Sequence, residues 1–304
     1  MAQMLTADTV DFSAYLEETD AAHKVVRAAS YCDEVIAYYH AGQALQGAKM
    51  PWRKTHANVR FRPGEVTLWA GMNGHGKSLV LGQVVLGFAA EKQRACIASM
   101  EMKPAISLAR ICRQGYGDML PDADYIRRFH TATDGLLWLY DQQGTVRPEM
   151  MLAVVRYCAD RLRVDHFVID SLMKCGIDED DFNRQKRFVD QLTSVARDTG
   201  IHIHLVAHSR KKADEYSPPG KMDVKGTGTI TDQVDNVMTV WRNKRKESDQ
   251  QAGITKSATD PDAMIICDKQ RNGEWEGRIG LWFIPSAMQF AEDGISGPSR
   301  LLKV

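Results

Sequence analysis

Residues 71–78 read Gly71-Met72-Asn73-Gly74-His75-Gly76-Lys77-Ser78, a G-x-x-x-x-G-K-S pattern. This spacing is that of a phosphate-binding loop of nucleoside triphosphatases. Gly71, Gly74 and Gly76 let the backbone curl so that successive N–H groups point inward at phosphate oxygens. All eight residues are therefore candidates for the nucleotide cradle. Lys77 places a point charge against the β- and γ-phosphates. The Ser78 hydroxyl suits Mg²⁺, an ion that keeps most of its waters and takes few protein oxygens.

The flanks separate a working loop from a chance match. Upstream, Glu65-Val66-Thr67-Leu68-Trp69-Ala70 is a β-favouring run after the turn signal Pro63-Gly64. Downstream, residues 79–92 carry Val80, Val84 and Phe88, and Leu81 and Val85, at helical spacing. Strand, glycine loop and helix N-terminus thus follow in order, and the helix dipole favours a phosphate there.

At 304 residues the chain can bury a substantial core, as one large domain with an appendage or as two. We divide it into an N-terminal helical arm or linker, residues 1–50, and an ATPase domain, residues 51–304. A formal net charge of zero excludes a global basic field, so any nucleic-acid contact must come from local patches. The six cysteines form no C-x-x-C pair, and four lie in apolar runs, as expected for small core residues in a reducing compartment. With no bilayer-length apolar stretch and no signal-peptide pattern, the expected location is the cytoplasm.

Residues 1 to about 50 read as helical, with Phe12, Tyr15, Leu16 and Thr19 on one face and Tyr31, Val35, Ile36 and Tyr39 on another. Such helices either pack on their own domain or dock on a neighbouring subunit. Ala95-Cys96-Ile97-Ala98-Ser99 is a buried-type strand, and Pro104 can open the following helix. Glu101 sits at the C-terminal end of that strand, the edge where open α/β sheets bind ligands. It either orients the attacking water or is a solvated loop charge. Leu136 to Tyr140 is a third strand, followed by a helix from Pro148. The run His166-Phe167-Val168-Ile169-Asp170-Ser171 is an apolar strand ending in aspartate, the form of the second nucleotide-binding motif. Asp170 is expected to hold Mg²⁺.

A strand is expected at 201–207. His202 and His204 are read as sharing one strand face with local partners rather than a metal, since no carboxylate or cysteine completes a set. His208 falls at the strand's C-terminal end, beside the expected γ-phosphate. Residues 209–228 form a polar loop with Arg210, Lys211, Lys212, Lys221 and Lys225, a candidate reader of a DNA phosphate backbone. Residues 235–241 form another strand, and residues 248–261 are polar and expected to be mobile. A strand at 263–267, an Asn272-Gly273 hairpin signal and a return at 278–284 close the domain. Lys269 and Arg271 lie near the hairpin tip. An arginine there is a solvated charge, or in a ring it reaches the neighbour's ATP.

Taken in order, Gly71–Ser78, Ala98–Met102, Phe167–Ser171, His204–Lys211, Gly226–Trp241 and Asp268–Gly273 resemble the RecA-like motor domain of DnaB-type replicative helicases, including the phage primase–helicases and mitochondrial Twinkle. The resemblance covers about residues 45–290. It implies an α/β P-loop fold with a mostly parallel twisted sheet flanked by helices, and a ring, usually a hexamer, around single-stranded DNA with ATP bound between subunits. On that resemblance Glu101 matches the catalytic glutamate and Asp170 the Mg²⁺-linked aspartate. His208 matches the γ-phosphate sensor, and Lys269 and Arg271 the pair supplied in trans, with Arg271 as the finger. At 304 residues the chain is expected to lack a primase domain and the usual bacterial N-terminal helicase domain, which makes a separate primase or loader a candidate partner. The expected activity is an ATP-dependent DNA helicase or translocase in replication, phage-like in source. A RecA/RadA-like recombination ATPase and a RecA-fold regulatory ATPase without DNA are the alternatives.

Overall fold

The computed structural model describes residues 3–5, 13, 27–40, 47–178, 180–209, 216–218, 228–255 and 259–302. Among these residues the parallel strands are β1 (Gln3–Leu5), β2 (Val66–Ala70), β3 (Ala95–Ser99), β4 (Leu137–Tyr140), β5 (His166–Asp170), β6 (His202–Val206) and β7 (Asn236–Arg242). Antiparallel strands follow: β8 (Ala263–Gln270), β9 (Gly277–Ile284) and β10 (Gln289–Ala291). Their order across one sheet is β1-β4-β3-β5-β6-β2-β7-β8-β9-β10.

The two faces of the sheet follow from side-chain alternation along each strand. Val66, Leu68, Phe167, Ile169, Ile203 and Leu205 pack against α5 (Pro148–Arg161), α6 (Phe182–Thr199) and α7 (Gly228–Gln233). Trp69, Val168 and Val206 face α2 (Lys77–Ala90), α3 (Pro104–Tyr116) and α4 (Ala123–Thr133). Strands covered on both faces are mostly apolar, and β2, β3 and β4 are buried at every position. Helix ends are set locally. Asp122 caps α4 by accepting from Tyr125 N at 2.7 Å, Pro104 opens α3, and Gly200 ends α6 with φ of 75°.

Several expectations need correction. The first fifty residues are not uniformly helical, because Gln3–Leu5 pairs in parallel with β4 at the sheet edge. The helix expected there is α1 (Cys32–His40), after a 3₁₀ turn at Ala28–Tyr31, while Phe12, Tyr15, Leu16 and Thr19 lie outside the described residues. Tyr31, Val35, Ile36 and Tyr39 are all exposed. The expected mobile stretch after residue 248 begins inside a helix, α8 (Lys244–Gln251), capped by Asn243 accepting from Lys246 N. Helix α8 is polar on every side and so leaves no apolar period to read. Helix α4 and strand β10 were not anticipated. The i, i+4 pair Tyr125 and Phe129 behind the Asp122 cap was the available signal for α4.

The two strand histidines have local partners. His202 Nδ1 meets Arg62 O at 2.6 Å and its Nε2 meets Thr67 Oγ1 at 2.9 Å. Trp69 Nε1 donates to His204 Nδ1 at 3.2 Å, His204 Nε2 meets His166 Nδ1 at 3.2 Å, and His166 Nε2 meets Gln93 Oε1 at 2.8 Å. Because indole nitrogen can only donate, the tautomer of each ring in that chain is set. His166 stacks on Phe88 with centroids 3.8 Å apart.

Candidate functional site

The phosphate loop leaves β2 at Ala70 and enters α2 at Lys77. A side chain at Gly71 would overlap the Val240 carbonyl oxygen of the adjacent strand. Gly76 starts α2 in the left-handed region, with φ of 86°. These two positions therefore require glycine for different reasons, close approach and backbone conformation. Within the loop Met72 and His75 are buried, whereas Asn73 and Gly74 are exposed. His75 Nδ1 accepts from Arg242 N at 3.2 Å, tying the loop to the end of β7.

Lys77 Nζ donates to Gly71 O at 2.7 Å and Met72 O at 2.9 Å, so the ammonium is folded back into the loop that surrounds it. Burial pushes its pKa down to about 8, against the carboxylates of Asp170 and Glu101, which pull it up. Ser78 Oγ donates to Asp170 Oδ2 at 2.6 Å. Asp170 ends β5 opposite Ser99, the last residue of β3, and Met100 N bonds Asp170 O at 3.2 Å. Burial raises the Asp170 pKa, opposed by the Ser78 hydroxyl and by Lys77, while Glu101 raises it further. Glu101 thus lies close enough to act on both groups and is itself exposed to solvent.

His208 is half-buried between two backbone bonds to the same region. Ala207 N donates to Trp69 O at 2.9 Å, and Ser209 N donates to Gly71 O at 3.1 Å. The structure therefore gathers Gly71–Ser78, Glu101, Asp170 and His208 at the C-terminal edge of the parallel strands. Ser78 and Asp170 form a hard-oxygen pair of the kind Mg²⁺ takes alongside waters.

Lys269 and Arg271, the other predicted site residues that the structure describes, are not gathered there. Arg210, Lys211, Lys212, Lys221 and Lys225 lie outside the described residues. Lys269 and Arg271 are at the opposite end of the sheet, because β8 runs antiparallel to β7 and pairs Asn236 with Gln270. That end is at least the length of β2 from the loop, about 13 Å at ~3.3 Å per residue. Neither cation points freely into solvent. Lys269 Nζ donates to Thr231 O, Asp232 O and Val234 O at 2.8–2.9 Å. Arg271 pairs with Asp235 at 3.0 Å.

Beside the loop runs a groove of about 1070 Å³, lined by His75, Gly76, Arg242, Trp282, Phe283 and Phe290. Helix α8 forms its far wall, held by Lys246, whose buried ammonium meets Asp262 at 2.8 Å and Asp260 O at 2.6 Å. Arg242, at the end of β7, pairs with Glu247 of the same helix, so Arg242 and Lys246 are both tied within the chain. The aromatic groove residues were missed because β9 read as an ordinary return strand and β10 was not anticipated.

A family model described as AAA domain matches residues 47–214, more than half of the chain. The chain belongs to this family. A sequence search of curated proteins found no match. Among solved structures, this AAA domain superposes on a DnaB-like replicative helicase, described with its interactions with primase, with a TM-score of 0.69 and 13% identity, covering 88% of this chain and 67% of that one. It superposes equally well on a second solved protein, described as an ATPase domain, with a TM-score of 0.69 and 14% identity, covering 87% of this chain and 99% of that one. The fold of this AAA domain is thus RecA-like, as expected, with a mostly parallel sheet between helical layers and an antiparallel C-terminal hairpin. Among the described residues no helix is long and apolar enough to cross a membrane.

Proposed function

We propose that the chain is the motor domain of a DNA helicase or translocase that hydrolyses ATP at the boundary between protomers. The observation that carries this reading is the split of charge chemistry between the two ends of one sheet. One end holds Lys77, Ser78, Asp170 and Glu101, and the other holds Lys269 and Arg271. A cation pair this far from its own phosphate loop serves a triphosphate only if a second copy presents one. That favours a ring or similar assembly over a free-standing hydrolase.

In this mechanism the loop amides and Lys77 hold the β- and γ-phosphates, the ammonium exchanging its two carbonyl partners for phosphate oxygens. Ser78 and Asp170 are the residues that would hold Mg²⁺, which would neutralise charge on the phosphates. Glu101 orients the attacking water and accepts its proton. His208 senses the γ-phosphate and passes its presence to the basic stretch that follows, which contacts single-stranded DNA. The aromatic groove takes the nucleoside. Arg271 stabilises charge on the transferred phosphoryl group of the adjoining protomer, with Lys269 beside it. The solved relative described with primase supports a separate primase as a partner.

Negative-stain microscopy with ATP and an oligonucleotide tests the assembly. Closed rings are the expected result. Continuous filaments would favour a recombination ATPase, and monomers indifferent to DNA would favour a regulatory one.

A further inference from the structure

Two buried carboxylates lie at the N-terminal end of β2, away from the phosphate site. Glu65 and Asp235 are each 4% exposed, and both face the tip of the β8–β9 hairpin. Asp235 Oδ1 meets Arg271 Nη1 at 3.0 Å, Asp235 Oδ2 accepts from Val66 N at 2.9 Å, and the Asp235 carbonyl accepts from Arg271 N at 2.8 Å. Glu65 accepts from Asn272 Nδ2 at 2.8 Å and from Asn236 Nδ2 at 2.9 Å, with Arg62 3.8 Å away. Carboxylates are buried only where partners satisfy them, so these two fix the hairpin tip from two sides.

The C-terminus of α7 completes the arrangement. Carbonyls at a helix end lack helical partners and favour cations. Arg271 Nη2 donates to Asp232 O and Gln233 O at 3.3 Å, and Lys269 Nζ takes Thr231 O, Asp232 O and Val234 O. A bulge makes this reach available. The β7–β8 register shifts between Val237 and Met238, so Asp268 is an extra residue and its carboxylate accepts from Thr239 Oγ1 at 2.7 Å. Such an insertion changes which face the following side chains take.

We propose that Asp235, Glu65 and the α7 carbonyls form a socket that positions Lys269 and Arg271 for the phosphate site of a neighbouring copy, with Asp235 the positioning residue for the Arg271 guanidinium. This rests on the reading that the pair acts across a protomer boundary. An arginine free to sample its rotamers must be ordered at each turnover, whereas a held guanidinium is already aimed. The Arg271 side chain remains 39% exposed, leaving a face for the partner.

The test is complementation with Asp235→Asn, and with Asp235→Glu, which keeps the charge but displaces it, should the first variant fold poorly. Each alone is expected to bind nucleotide within about twofold of wild type while DNA-stimulated turnover falls ~10–100-fold. Mixed one to one with Glu101→Gln, each should recover toward roughly a quarter of wild-type turnover, the share of boundaries that keep both groups in a random heterologous ring. A purely structural defect would not be rescued by a partner that carries it intact. The control mixture is Arg271→Ala with Glu101→Gln. If the control recovers and the Asp235 mixtures do not, the socket is overturned while the shared site stands. If the control also fails, the shared site falls and the socket with it.

Discussion

The two ends of the central sheet treat buried carboxylates in opposite ways. At the C-terminal end Asp170 is raised in pKa by burial and leans on a hydroxyl, with the Lys77 ammonium turned aside onto loop carbonyls. At the N-terminal end Asp235 has an arginine at 3.0 Å and a backbone N–H at 2.9 Å. One end keeps charge available for a ligand, and the other commits its charge to holding the hairpin. Reactive ends of α/β sheets carry groups whose partners can be exchanged, while anchoring ends carry partners that are satisfied within the chain.

The largest effect should come from the exchangeable end. Lys77→Ala should reduce ATP hydrolysis to background in a phosphate-release assay, and retained turnover would remove the loop from the chemistry. Next is the hairpin. Arg271→Ala should keep nucleotide binding, measured by calorimetry, yet lose DNA-stimulated hydrolysis by ~10³–10⁵-fold if the arginine completes the neighbour's site. A loss below tenfold would reduce the hairpin to a structural feature.

A smaller effect sharpens the comparison through pH. Lys77, ordinarily near 10.5, is held at about 8 by burial, and phosphate oxygens would restore it. Binding then takes up a proton above pH 8. Nucleotide affinity should be flat below about pH 8 and fall up to ~10-fold per pH unit above it. A flat profile from pH 7 to 9.5 would contradict this.

A pH effect on folding rather than on binding lies in the core between the two ends. Burial holds His202 at about 4 and keeps His166 and His204 well below their ordinary range. Between pH 4 and 6.5 the unfolded chain binds the protons that the folded one refuses, so folding stability is fully present above about pH 6.5 and is lost as pH falls. Each ring contributes up to ~1.4 kcal/mol per pH unit. Urea titrations at pH 7.5, 6.0 and 5.0 should show a falling midpoint, and His204→Phe should flatten the trend.

Much of the phosphate-loop edge was legible because its signals are local. The glycine and lysine spacing of 71–78, the apolar strand ending at Asp170 and the Glu101 position each need only neighbours in the chain. The socket was not legible, since Glu65, Asp235 and Asn272 come from distant segments and look like ordinary loop and turn residues. Helix α8 and strand β10 escaped for a related reason. A wholly polar helix and a three-residue strand carry no usable period, and both are stabilised by partners far away, such as Lys246 on Asp262 and Phe290 N on Gln83 Oε1.

The sequence by itself therefore determined that a triphosphate-binding loop stands between a strand and a helix, because backbone turn, charge and hydroxyl are encoded within eight consecutive residues. Only the tertiary structure decided that Lys269 and Arg271 face away from their own loop and are gripped by Asp235 and the end of α7. That outcome depends on the antiparallel run of β8 against β7 and on one extra residue in its register, which are properties of pairing between strands rather than of any stretch of chain.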